Sequence, residues 1–126
     1  VTFSFAGKRE ALISGLETEV QTAIQNILEN ALKYGQNHDV EPVIDCKLEQ
    51  IGKKYHLTIT DHGSGIAKQD LNKVFIPFFR GKNATLPGSG LGLAIAREAI
   101  FHHKGKIAIK STINQGTEVT IVLPIA

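Results

Sequence analysis

Between Thr18 and Tyr34 the apolar residues Val20, Ala23, Ile24, Ile27, Leu28, Ala31 and Leu32 recur at helical spacing. A helix with a single apolar stripe must lay that stripe on a second layer of structure. The rest of the chain supplies strands for such a layer. Residues 43–51 and 55–60 alternate apolar and polar and meet at Gly52-Lys53, a hairpin signal. Residues 107–110 and 118–123 form a second hairpin across Asn114-Gln115-Gly116. Residues 1–5 and 11–13 read as two further short strands flanking a Gly7-Lys8-Arg9 turn. Thr18 is placed to cap the long helix and Gly35 to end it. Residues 67–74 read as a short helix, and residues 91–103 as a longer one closed by Gly105. These elements predict an α/β (α+β) two-layer sandwich, a mixed sheet of about five strands with about three helices on one face.

A chain of 126 residues, 42% hydrophobic and 21% charged, fits one globular domain spanning residues 1–126. Its net charge of +2 is too small to imply nucleic acid or an anionic membrane as a partner. Cys46 is the only cysteine, which excludes an internal disulfide and a thiolate metal cluster, and its place in a strand suits an inert core thiol. No apolar run approaches the ~20 residues of a membrane span, and no signal peptide opens the chain, so a cytoplasmic setting is the expectation. The start at Val1, without methionine and directly in a strand-like run, is expected of a piece cut from a longer protein.

Four segments carry candidate chemistry. On the polar face of the long helix, Asn26, Glu29, Asn30 and Lys33 fall together. A carboxamide oxygen suits Mg²⁺, and a lysine suits phosphate. Asp61-His62-Gly63-Ser64-Gly65-Ile66 follows an apolar strand, where a carboxylate can accept from an exocyclic amine and glycines let backbone approach a flat base. Phe75-Ile76-Pro77-Phe78-Phe79-Arg80 opens an irregular stretch in which aromatics can clamp a loop while Arg80 and Lys82 turn to phosphates. Gly88-Ser89-Gly90-Leu91-Gly92-Leu93 opens a helix, and free amides at a helix start attract phosphate. Each segment taken alone has a plainer reading. These are a solvated helix face, a strand-ending turn, a hydrophobic cluster under a loop, and a turn before a helix.

In their order and spacing, however, the four segments resemble the N box, first glycine box, F box and second glycine box of the catalytic and ATP-binding domain of sensor histidine kinases. That domain belongs to a superfamily that includes DNA gyrase, a heat-shock chaperone family and mismatch-repair ATPases. Gly116-Thr117-Glu118-Val119-Thr120 is similar to the family's final Gly-Thr segment, and the resemblance covers essentially the whole chain. It implies a Bergerat-type ATP-binding fold with ATP and Mg²⁺ as cofactors. Asn30 would ligate Mg²⁺ with Asn26 beside it, and Lys33 and Tyr34 would reach the phosphates and the sugar-phosphate region. Asp61 would accept from the adenine amino group, with Gly63 and Gly65 beneath the ring and Thr117 supporting through water. Residues 80–90 would form a lid hinged on Gly88 and Gly90, with Arg80 or Lys82 at the terminal phosphates. The amides around Gly90, Leu91 and Gly92 would hold phosphate oxygens. Ile66, Phe79, Ser89 and Leu93 complete the nucleotide-contacting set.

The resemblance also bears on reaction type. Hydrolytic relatives carry a glutamate where Asn26 stands, and asparagine cannot take a proton, so ATP is kept for an acceptor other than water. Glu29 points about 60° away from Asn26 on the helix, either as a solvated carboxylate or as a proton acceptor for an incoming imidazole. With Asn26, Lys33 and Arg80 it makes up the candidate catalytic set. None of His38, His56, His62, His102 and His103 sits in the family's phosphoacceptor motif. The implied partners are therefore a histidine-bearing dimerisation domain of the same protein and a response regulator receiver domain. The implied assembly is a monomeric fragment of a homodimeric protein, with inner-membrane anchoring of the intact chain as one arrangement. The competing expectations are an anti-sigma-factor-type serine kinase and a non-catalytic ATP-sensing module.

Overall fold

The computed structural model describes residues 2–8, 11–34, 42–77 and 92–126. Its elements run β1 (Thr2–Gly7), α1 (Glu17–Tyr34), β2 (Val43–Ile51), β3 (Lys54–Asp61), α2 (Gly92–His102), β4 (Lys106–Thr112) and β5 (Gly116–Pro124). The five strands form one sheet in the order β1-β2-β3-β5-β4. β1 pairs parallel to β2, and every other pairing is antiparallel, so the sheet is mixed as expected. The parallel pair requires a crossover, and α1 lies within it.

Period-two alternation sends one face of each central strand into the core. In β5 this face carries Thr117, Val119, Ile121 and Leu123, all buried. Ile44 of β2 and Ile59 of β3 belong to the same layer. The helices close over it with Ala23, Ile27 and Ala31 from α1 and Leu93, Ala96 and Ile100 from α2. Ile27, Ile44, Ile59, Ile100 and Ile121 are the largest side chains fully withdrawn from water, each stabilising the fold by roughly 1.5–3 kcal/mol. Cys46 packs partly buried against this core, and its thiol is pushed up by burial first and by the Asp45 charge second, which suits an inert sulfhydryl.

Several local expectations differ from the structure. Residues 11–13 are not a strand; the amide of Ala126 donates to the Leu12 carbonyl at 2.9 Å, so this segment is strapped to the chain end instead of joining the sheet. Thr18 lies inside α1, with Thr22 Oγ1 donating to its carbonyl. The capping position belongs to Leu16, whose carbonyl accepts from Val20 N at 3.1 Å and whose amide donates to His103 Nε2 at 2.9 Å. Residues 67–74 form successive tight turns, with Asp70 N on Ala67 O and Lys73 N on Asp70 O, so α1 and α2 are the only helices among the described residues. Gly35, expected to end α1, Val1, expected to open the first strand, and Arg9 of the expected turn lie outside the described residues.

The end of α2 divides between two residues the closing role that the sequence reading gave to Gly105. Lys104 N donates to Phe101 O and Gly105 N to Ile100 O, the paired bonds of a Schellman ending. The left-handed residue is Lys104, at φ 61°. Gly105 is required for space, because a Cβ there would overlap the Val122 carbonyl and crowd Ile100 and Leu123. Lys104→Gly is therefore expected to stabilise the domain by about 1 kcal/mol. Gly105→Ala is expected to destabilise it by about 1–3 kcal/mol. Urea denaturation midpoints test the pair, and a lowered midpoint for Lys104→Gly would contradict the assignment.

Candidate functional site

Asp61 ends β3, opposite Ile44, and its carboxylate is buried on the helix-facing side of the sheet, with the residue 4% exposed. One oxygen, Oδ1, accepts two backbone amides, from Gly63 at 3.0 Å and from Thr117 at 3.2 Å. Oδ2 takes none of the hydrogen bonds among the described residues. The carboxylate is thus oriented through one oxygen while the other stays available as an acceptor. Burial pushes the Asp61 carboxyl up from the usual carboxylate range, opposed by the Gly63 and Thr117 amides and by the His62 charge.

The loop after Asp61 is fixed from the β4–β5 side. Ile66 N donates to Ser111 Oγ at 2.7 Å, and Asn114 N donates to Ser64 O at 2.8 Å. Ser111 has one hydroxyl proton, and it goes to Gly116 O at 2.9 Å. The 2.8 Å contact between Ser111 and Thr117 must then use the Thr117 proton, which leaves Thr117 Oγ1 able to accept but not to donate further. Gly65 at φ 74° and Gly116 at φ 123° sit where L side chains rarely go. A Cβ on Gly65 would overlap the Thr112 carbonyl, and one on Gly116 the Asp61 carbonyl. These glycines let loop, hairpin and strand end close around the carboxylate.

On the helix layer, Asn26 and Asn30 are half-buried on α1. A Cβ added to Gly92 would lie 3.8 Å from Asn26 Cβ, so the first turn of α2 meets the α1 residue singled out from the sequence. Glu29 is exposed, and its Oε1 accepts from Gln25 Nε2 at 3.2 Å, an ordinary pair one turn apart. Lys33 is exposed in the last turn of α1. Gly63 is buried, Gly65, Ile66 and Gly92 are half-buried, and Leu93 belongs to the core. Phe75 packs against the core, and the Arg97 guanidinium lies 5.4 Å from its ring centre and 5.2 Å from that of Phe101. The Tyr34 side chain, Phe79, Arg80, Lys82, Gly88, Ser89, Gly90 and Leu91 lie outside the described residues.

Two participants escaped the sequence reading. Ser111 becomes visible once the hairpin register is counted, because it stands opposite Thr117. Asp45 stands opposite Thr60 and accepts from His62 Nε2 at 2.7 Å. Both follow from turn length, a signal present in the sequence.

The Asp61 shift fixes a sign. A carboxyl raised in the folded state favours folding while protonated, and that contribution is lost as pH climbs through its folded value. Asp61→Asn keeps an oxygen for the two amides and removes the buried charge. Its melting temperature should equal or exceed the parent's at neutral pH, with the gap closing toward acid. Thermal denaturation across pH 3–8 measures this, and an acid-independent loss of stability would refute it.

Residues 15–126 match the family described as histidine kinase-, DNA gyrase B-, and HSP90-like ATPase. The chain is 36% identical over 112 residues to sensor protein RprX of Bacteroides fragilis, covering 86% of this chain and 21% of that protein. It is 37% identical over 112 residues to sensor histidine kinase WalK of Bacillus subtilis, covering 86% and 18%. The chain thus spans about a fifth of the length of these curated relatives. The solved mycobacterial sensor histidine kinase MprB superposes with a TM-score of 0.83 at 32% identity, over 98% of this chain and 84% of that one. A nucleotide-free catalytic domain of histidine kinase ThkA gives 0.81 at 27%, over 98% and 80%. Among the described residues no helix is long and apolar enough to cross a membrane.

Proposed function

The chain belongs to the family of histidine kinase-, DNA gyrase B- and HSP90-like ATPases. From that membership and the geometry at Asp61, we propose that it binds ATP with Mg²⁺ and donates the γ-phosphoryl group to a histidine. That histidine lies on a separate dimerisation domain of the same, homodimeric protein, and the group passes on to an aspartate of a response regulator. The observation that carries the nucleotide assignment is the two-amide grip on Asp61 Oδ1, which leaves Oδ2 as an oriented acceptor in a buried setting. Adenine offers an exocyclic amine to such an acceptor and guanine offers a carbonyl at the same edge, so the carboxylate selects between them. Thr117 Oγ1, with its own proton committed, suits a water that donates to it beneath the base.

The contact between Asn26 and Gly92 supports a phosphate end built from two helices, one bringing carboxamides and the other a helix N-terminus. The Asn30 carboxamide oxygen would hold Mg²⁺, which when bound neutralises phosphate charge. Asn26 offers no proton acceptor for water, so this chain's residues position the phosphates without activating hydrolysis. The exposed, Gln25-paired Glu29 serves as a surface carboxylate in this reading. The roles of Phe79, Arg80, Lys82 and residues 88–91 rest on the sequence resemblance.

Asp61→Asn turns the Oδ2 acceptor into a donor facing a donor and should weaken ATP binding by about 100-fold or more, measured by titration calorimetry. Unchanged affinity would remove the adenine assignment. Asn30→Ala should abolish the part of ATP affinity that depends on Mg²⁺, and equal parent affinity with and without the metal would end the Asn30 role. Adding the protein's own dimerisation domain in trans with labelled ATP should place label on a histidine. ATP binding without transfer would instead favour a sensing module, and label on serine a serine kinase.

A further inference from the structure

The loop after Asp61 is pinned on its second side by one titratable contact. His62 alternates to the face of the sheet opposite Asp61, where its Nε2 donates to Asp45 Oδ2 at 2.7 Å. The ladder between β2 and β3 ends at Ile44 and Asp61, so His62, one step past it, reaches back diagonally to Asp45, whose register partner is Thr60. The opposite flank of the loop uses backbone and hydroxyl groups, which do not titrate near neutral pH. Only the β2 flank therefore changes strength when an imidazole gains or loses its proton.

We propose that His62 is a positioning residue of the nucleotide site, acting through Asp45, and that its charge makes nucleotide affinity depend on pH. The inference rests on the nucleotide reading above. Two effects act in one direction. A cationic His62 makes a charge-assisted bond that holds the loop, and with it the Gly63 amide that orients Asp61. It is also a positive charge beside Asp61 that keeps the carboxylate ionised and favours a polyanionic ligand. Loss of the proton removes both. His62 and Asp45 meet at the strand ends. Lys47 on β2 is bound to Glu49 at 3.2 Å, while Glu118 of β5 stands across from Thr60 and is registered with Lys110 of β4. Half exposure of both partners limits the effect to a modest one.

The test is calorimetric titration with ADP from pH 5 to 9 for the intact chain and for His62→Gln, Asp45→Asn and the double variant. The ligand's own titration cancels in the ratio of parent to variant affinity. Parent affinity should fall by about two- to five-fold relative to His62→Gln between the acid and alkaline ends of the titration. The acid limb, set by Asp61, should move to higher pH in His62→Gln because a neighbouring positive charge is gone. The double variant should resemble His62→Gln, because without the imidazole neither the contact nor the charge remains for Asp45 to modulate. By linkage, saturating ADP should shift the His62 imidazole titration upward in an NMR experiment. Parallel pH profiles in parent and His62→Gln, or a His62 midpoint unmoved by ADP, would overturn the proposal while leaving the nucleotide site standing. Absence of ADP binding by the parent at every pH would overturn both.

Discussion

Two hydrogen bonds to a single carboxylate oxygen join three parts of the fold. Asp61 ends the third strand, Gly63 belongs to the loop after it, and Thr117 begins the last strand. Without those amides a carboxylate this deeply buried would carry an unmatched desolvation cost, and the loop would have no fixed origin. With them, one oxygen is spent on structure and the other is left for recognition. The glycines at 65 and 116 serve the same closure, since side chains there would overlap the carbonyls that the loop and hairpin bring together.

The Ser111 hydroxyl extends this closure by one more layer. It receives from Ile66 and Thr117 and gives to Gly116, so every polar position on that oxygen is used. A saturated group of this kind rigidifies its surroundings. It also fixes the hydrogen-bond sense of Thr117 toward any ligand. On the opposite flank the loop is tied by a side-chain pair of ionisable groups, His62 and Asp45. The site is thus built with one insensitive edge and one edge whose strength follows protonation.

The helix layer stands apart from this polar construction and rests on burial. α1 and α2 cover the sheet through Ala23, Ile27, Ala31, Ala96 and Ile100, small and branched residues that let the helices approach the strands. That packing carries Asn26 to the start of α2. At the far end of the layer, His103 accepts the Leu16 amide while its other ring nitrogen contacts the Ala99 carbonyl at 2.7 Å, fastening the start of one helix to the end of the other. Gly15 leaves room for the imidazole, which a side chain there would displace.

Periodicity and turn signals together determined the two long helices and both hairpins, and for the first helix the stripe it turns to the core, because burial of an apolar stripe or an alternating strand admits few arrangements. Motif order likewise identified Asp61, Gly63, Gly65 and Thr117 as a group, although they are spread over 57 positions from 61 to 117. Tertiary structure decided what local propensity could not. Residues 67–74 turn without becoming a helix, 11–13 form a strap, Leu16 takes the cap beside Thr18, and Lys104 takes the left-handed position beside a glycine. At the strap, the cap and Gly105 a neighbour distant in sequence supplied the hydrogen bond or occupied the space, and a contact of that kind has no signature in the residues on either side of it.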